Sequence, residues 1–133
     1  MKITADTNML VRVAVADDPG QSALAIATMR EADLIAITLP SLCEFVWVLA
    51  RLYKRETADI ATAIRRLITS ATVVADRPAV DAGLAVLEAG GDFADGVIAF
   101  EGRRLGGAVF TSFDVAAVKL ILADGGEARL LSR

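Results

Sequence analysis

The sequence predicts a mixed α/β protein, with a central parallel sheet flanked by helices on both faces. Three observations predict it. Short β-like runs alternate with longer runs of helical period, and strands that alternate with helices build parallel sheets covered on both sides. Hydrophobic residues make up 55% of the chain but aromatics only 5%, so Ala and Val do much of the filling and the elements pack closely. The 133 residues form one domain, 1–133, by length, since typical domains run to about 100–150 residues.

The elements follow in order. Residues 2–5 read as a first strand ending at Asp6, and 7–16 as a helix. Asp17-Asp18-Pro19-Gly20 stops that helix, and 21–32 form a second. A β-rich run at 34–38 is bounded by Pro40, which suits the first turn of a helix because its missing N–H costs nothing there. Leu42, Phe45, Val46, Leu49, Leu52 and Tyr53 then give helical spacing over 40–53. The run 57–69 is another helix, with Ile60, Ile64, Leu67 and Ile68 on one face. A strand at 72–75 precedes a helix at 78–89, which Gly90-Gly91 ends. A helix at 93–105 ends at Gly106-Gly107, followed by a strand at 108–111, a short helix at 115–122 and a last strand at 128–131.

Composition excludes several classes. High hydrophobicity rules out intrinsic disorder. The single cysteine, Cys43, allows no internal disulfide and suits a reducing, cytoplasmic setting. With no histidine and one cysteine, the usual zinc sites and the Ser-His-Asp and Cys-His mechanisms are excluded. Any metal must be held by oxygen ligands, which favours Mg²⁺ or Mn²⁺. No run approaches the roughly 20 apolar residues of a membrane span, and the early Asp6 does not suit a signal peptide. The net charge of −3 weighs against nucleic-acid binding by the chain as a whole.

The acids carry the chemical signal. Asp6 ends a strand, where open parallel sheets gather ligands; it reads equally as an N-cap. Glu44 lies in a stretch that is otherwise apolar or small, which predicts a buried carboxylate that must be paired, protonated or metal-bound. Asp92 and Asp95 follow Gly90-Gly91, and Asp114 follows the strand at 108–111. Each is a candidate helix cap or a site acid. If Asp6, Glu44, Asp95 and Asp114 converge, their repulsion calls for a cation. Oxygen ligands recruit Mg²⁺ or Mn²⁺, which activates water and neutralises phosphate. With no triad and no phosphate loop, metal-assisted phosphodiester hydrolysis is the natural chemistry.

Four motifs carry a resemblance. Asp6-Thr7-Asn8-Met9-Leu10 after the first strand resembles the opening of PIN-domain proteins. Ser41-Leu42-Cys43-Glu44 matches that family's helical acid, Asp92-Phe93-Ala94-Asp95-Gly96-Val97-Ile98-Ala99 its central acidic motif, and Thr111-Ser112-Phe113-Asp114 its final Thr/Ser-x-Asp motif. The order, spacing and length agree over essentially the whole chain, and most nearly with VapC-like toxins of type II toxin–antitoxin pairs.

The resemblance implies a PIN-like three-layer fold and a Mg²⁺- or Mn²⁺-dependent endoribonuclease acting on tRNA or rRNA. It implies Asp6, Glu44, Asp95 and Asp114 as metal ligands, Asp6 and Asp95 chief among them. Asn8 and Ser112 match polar positions that orient ligands or water; Ser112 stands where Thr is commoner and keeps the hydroxyl. Asp92 ranks lower. The resemblance also implies a homodimer and an antitoxin that wraps the toxin.

Outside the motifs, Arg12 falls near the site in sequence. The helices around 23–29 and 60–68 are candidates for a dimer or antitoxin groove. Arg51, Lys54 and Arg55, Arg65 and Arg66, and Arg103 and Arg104 form local basic groups, either solvated helix faces or phosphate contacts. The competing reading is an inactive module that binds a protein partner through its acidic pocket. A haloacid dehalogenase phosphatase would need a second Asp where Asn8 stands, and a receiver domain would need paired acids that are absent.

Overall fold

The computed structural model describes all 133 residues. The chain divides into two compact units, Met1–Asp76 and Arg77–Arg133. It is mixed α/β, with seven helices and five strands, and every strand pairing is parallel.

The first unit holds β1 (Lys2–Thr4), α1 (Thr7–Ala14), α2 (Pro19–Glu31), β2 (Leu34–Ala36), α3 (Leu39–Arg51), α4 (Thr57–Thr69) and β3 (Val73–Val74). Its sheet runs β1-β2-β3, with Ile3 opposite Ile35 and Ile35 opposite Val73. Leu10, Ile35, Leu42, Phe45, Ile60 and Ile64 are its largest fully buried side chains. Each such side chain contributes about 1.5–3 kcal/mol on leaving water.

Local chemistry fixes the helix ends. α2 begins at Pro19, two residues before the expected start, because Asp18 caps it by accepting from the Gln21 N–H at 3.1 Å. Pro19 therefore occupies the first turn, where no intrahelical N–H bond is lost. Thr38 caps α3 in the same way, with Pro40 in the first turn. The end of α3 is closed by the Arg55 N–H donating to the Leu49 carbonyl at 2.9 Å, with Lys54 in the left-handed region at φ 53°. That bond reaches one residue further back than the six-to-one closure usually made with glycine at the left-handed position.

The second unit holds α5 (Arg77–Glu88), α6 (Phe93–Arg104), β4 (Val109–Ser112), α7 (Val115–Ala123) and β5 (Glu127–Leu130). β4 and β5 pair from Val109 opposite Glu127 to Ser112 opposite Leu130. Val86, Ala99 and Ile121 form a buried cluster against which Phe110, Leu120 and Ala128 pack.

The α5–α6 contact depends on two glycines. A Cβ on Gly96 would lie 2.3 Å from the Ala82 carbonyl oxygen, and one on Gly83 would lie 2.6 Å from the Phe93 ring. Phe93 is wholly buried there, at the first position of α6. These contacts set the start of α6, and with it Asp92 and Asp95.

Candidate active site

In the first unit, Asp6 sits just past the end of β1 and caps α1, its Oδ1 accepting from the Thr7 N–H at 2.7 Å. Its side chain is exposed, as is that of Asn8. The buried Thr7 donates its hydroxyl to Glu44 Oε2 at 3.3 Å, joining the start of α1 to the middle of α3. Glu44 is thus brought to the residue next to Asp6.

The structure corrects the burial argument for Glu44. Its side chain is exposed, not enclosed. α3 buries Leu42, Phe45, Val46 and Leu49 on one face, while Glu44 and Trp47 point outward. Trp47, one turn along the helix from the acid, is itself 55% exposed. A run of apolar residues does not bury every face of a helix when only one face meets a partner.

In the second unit, Asp92 caps α6, accepting from the Ala94 N–H at 3.1 Å, and Asp114 caps α7, accepting from the Ala117 N–H at 3.1 Å. Each uses Oδ1. Ser112 is the last residue of β4, and its hydroxyl accepts from the Asp114 N–H at 3.0 Å. That bond turns the chain from strand to helix and fixes where Asp114 lies.

Asp95 differs from the capping acids. It lies in the first turn of α6 and is half-buried. Burial raises its pKa above the ordinary carboxylate value, and the charges of Asp92 and then Asp114 raise it further. The charges of both capping acids of this unit thus reach Asp95. A cation beside Asp95 would offset that cost to its ionised form.

The cap readings of Asp6, Asp92 and Asp114 all hold in the structure. They do not remove these acids from consideration, because each cap leaves the second carboxylate oxygen outside its bond. Within either unit, no three acids lie close enough together to hold a metal ion. The donor chemistry fits Mg²⁺ or Mn²⁺, since the candidates are all oxygen ligands and Asp95 has like charges around it.

Arg12 does not stand ready for a ligand. It pairs with Asp17 at 2.7 Å, donates to Gln21 at 2.8 Å and to the Tyr53 hydroxyl at 3.3 Å. Tyr53 in turn donates to Asp17 at 2.9 Å. The cluster ties α1 to the start of α2 and the end of α3. A cavity of about 320 Å³ in the second unit is lined by Val86, Gly96, Ala99, Arg103, Ile121 and Glu127, and by none of the candidate acids.

Sequence reasoning missed Thr7 and Gly96 as positioning residues. Both lie inside the quoted motifs, so the motif was the signal that could have found them.

The profile of the PIN domain matches residues 3–120, which is most of the chain. The chain belongs to the PIN domain family, and its fold is of the nuclease type found in that family. No curated protein matches it.

Proposed function

We infer that this protein is a divalent-metal-dependent endoribonuclease that hydrolyses phosphodiester bonds in tRNA or rRNA. The observation that carries the reading is the state of Asp95. It is a half-buried carboxylate whose electrostatic neighbours, Asp92 and Asp114, are both acids. Such an arrangement is costly for a fold and useful for gathering a cation. Asp6, Glu44, Asp95 and Asp114 are the residues that would hold it, Mg²⁺ or Mn²⁺ by donor type. Bound there, the ion supplies activation of water and neutralisation of a phosphate oxygen. Thr7 orients Glu44, Ser112 positions Asp114, and Asn8 is exposed and free to meet substrate or water.

The activity is that of a toxin held in check by an antitoxin, and the protein works as a homodimer in the cytoplasm. A groove of about 220 Å³ between α1, α2 and α4 supports the antitoxin. Val13, Met29, Ala63 and Leu67 supply its apolar floor, and Arg66 its charge. A second hollow shares Val13 and Met29 and adds Arg30. An amphipathic segment with acidic flanks fits that chemistry.

The test is cleavage of total cellular RNA by the purified protein free of partners. Wild type is run with Mn²⁺ and with chelator, beside Asp95→Asn. Discrete products that need both the metal and Asp95 are expected. Equal cleavage by Asp95→Asn would remove the site assignment. No cleavage by wild type, with no metal uptake, would favour a module that binds a partner through its acids.

A further inference from the structure

We propose that the outward face of α3 is a track for single-stranded RNA, with Trp47 as the platform on which a base stacks. This deepens the nuclease reading and rests on it. Glu44, Trp47 and Arg51 stand at spacings of three and four residues, so they share one helix face. All three are exposed. At 1.5 Å per residue, Trp47 lies about 4.5 Å along the axis from Glu44, and Arg51 about 10 Å. One helix face therefore presents a site acid, then an indole, then a cation.

Those are the parts that single-stranded RNA requires. Bases stack on aromatic rings without regard to sequence, and cations follow the backbone phosphates. Neither Arg51 nor Lys54 is held in an ion pair.

Lys54 gives an independent reason to read the end of this track as functional. It holds the left-handed position that closes α3, at φ 53°. Glycine meets that conformation without strain, whereas a side chain there is strained. A strained residue that adds a positive charge at the end of the track is kept at a cost to the fold. The helix C-terminus also favours cations, but Arg51 in the last turn already serves that purpose.

Trp47 is the only tryptophan, so its fluorescence reports directly on the proposed platform. The probe is a fluorescein-labelled single-stranded RNA of about twelve nucleotides, within the usual span of such sites. Binding is followed in chelator by tryptophan emission and by anisotropy of the label. A gel checks that the RNA stays intact. The stacking and phosphate contacts need no metal.

The expected result is quenching of Trp47 that saturates with the anisotropy. Trp47→Ala should weaken binding about tenfold or more, and Trp47→Phe much less. Arg51→Ala should weaken binding and lower the salt slope by about 0.7, the value for one single-strand phosphate contact. Because Trp47 is exposed, these variants should keep the wild-type circular dichroism and melting temperature.

RNA bound with unchanged Trp47 emission would overturn the proposal, and so would failure to bind the RNA at all. Emission that changes with protein concentration alone, together with a dimer lost in Trp47→Ala, would overturn it in favour of a second copy on this face. Quenching by RNA without cleavage in Mn²⁺ would leave the track standing and remove the nuclease reading. Metal-dependent cleavage with unaltered KM in Trp47→Ala would do the reverse.

Discussion

The Thr7 hydroxyl reaches across 37 residues of sequence to donate to Glu44 Oε2 at 3.3 Å. Asp6 caps the same helix turn through the Thr7 N–H. One residue therefore holds both candidate site acids of the first unit, one through its backbone and one through its side chain. Thr7→Val keeps the shape and removes the hydroxyl. Stability should change by no more than about 1 kcal/mol, since water can replace the lost bond at the exposed carboxylate. RNA cleavage should fall about tenfold, the lower end of what loosening a metal-ligand partner costs. Urea unfolding beside a cleavage assay would separate the two effects. Full activity in Thr7→Val would show that Glu44 needs no positioning.

Gly96 should tolerate no side chain. A Cβ there meets the Ala82 carbonyl oxygen at 2.3 Å, and backbone cannot swing aside as a side chain can. Gly96→Ala should destabilise by about 1–3 kcal/mol through forced separation of α5 and α6. Asp95 is the preceding residue, so activity should fall further than the folded fraction does. Thermal melting and cleavage at a temperature where the variant is fully folded would measure each part.

Asp95 makes stability depend on pH and on metal. Its folded pKa lies above the ordinary value of 3.8, so the folded chain binds the proton more tightly than the unfolded chain. Stability therefore declines as pH rises from 3.8 through the folded pKa, and the penalty is complete above it. Asp95→Asn should melt higher than wild type at pH 7 and lose that advantage near pH 3. Saturating Mn²⁺ should raise the melting temperature of wild type at pH 7 more than that of Asp95→Asn. Identical metal responses in the two proteins would place the ion elsewhere.

Tyr53 should matter to the fold and not to the chemistry. Its hydroxyl donates to Asp17 and accepts from Arg12, completing the cluster that ties three helices. That bond and the Arg12 charge hold the Asp17 carboxyl below the usual carboxylate value. The stabilisation is present above the unfolded pKa and is lost as pH falls through the depressed folded pKa. Tyr53→Phe should lower the melting temperature at pH 7 and narrow its gap to wild type in acid. Cleavage rates should be unchanged. A loss of activity with unchanged melting would move Arg12 and Tyr53 into the site.

The element order was legible because several boundaries have a local cause. Asp114 and Asp92 cap helices, and Gly90 and Gly106 take positive φ at the ends of α5 and α6. Pro19 was misplaced by two residues because a proline marks a stop and a start equally well, and only the Asp18 cap decides between them. The acids were legible as types at motif spacing. The exposure of Glu44 was not, because burial depends on which faces of α3 find partners, and periodicity shows a face only when its residues differ in polarity. Nor was Thr7 legible as a link, since its partner lies in another element.

Lys54 sets stability against binding. Its φ of 53° suits glycine better than lysine. Lys54→Gly relieves strain in the folded state, although glycine also gains freedom in the unfolded chain. The net gain should be about 0.5–1 kcal/mol, because the left-handed conformation costs an L-residue about 1–2 kcal/mol. The Arg55 to Leu49 bond that closes α3 needs only the backbone, so it should survive. Loss of the ammonium group should weaken RNA binding most at low salt, where phosphate contacts count most. A variant that melts higher but binds RNA less tightly is the expected outcome of paired melting and anisotropy measurements. Higher stability with unchanged RNA affinity would mean that the strain at Lys54 serves no contact with RNA.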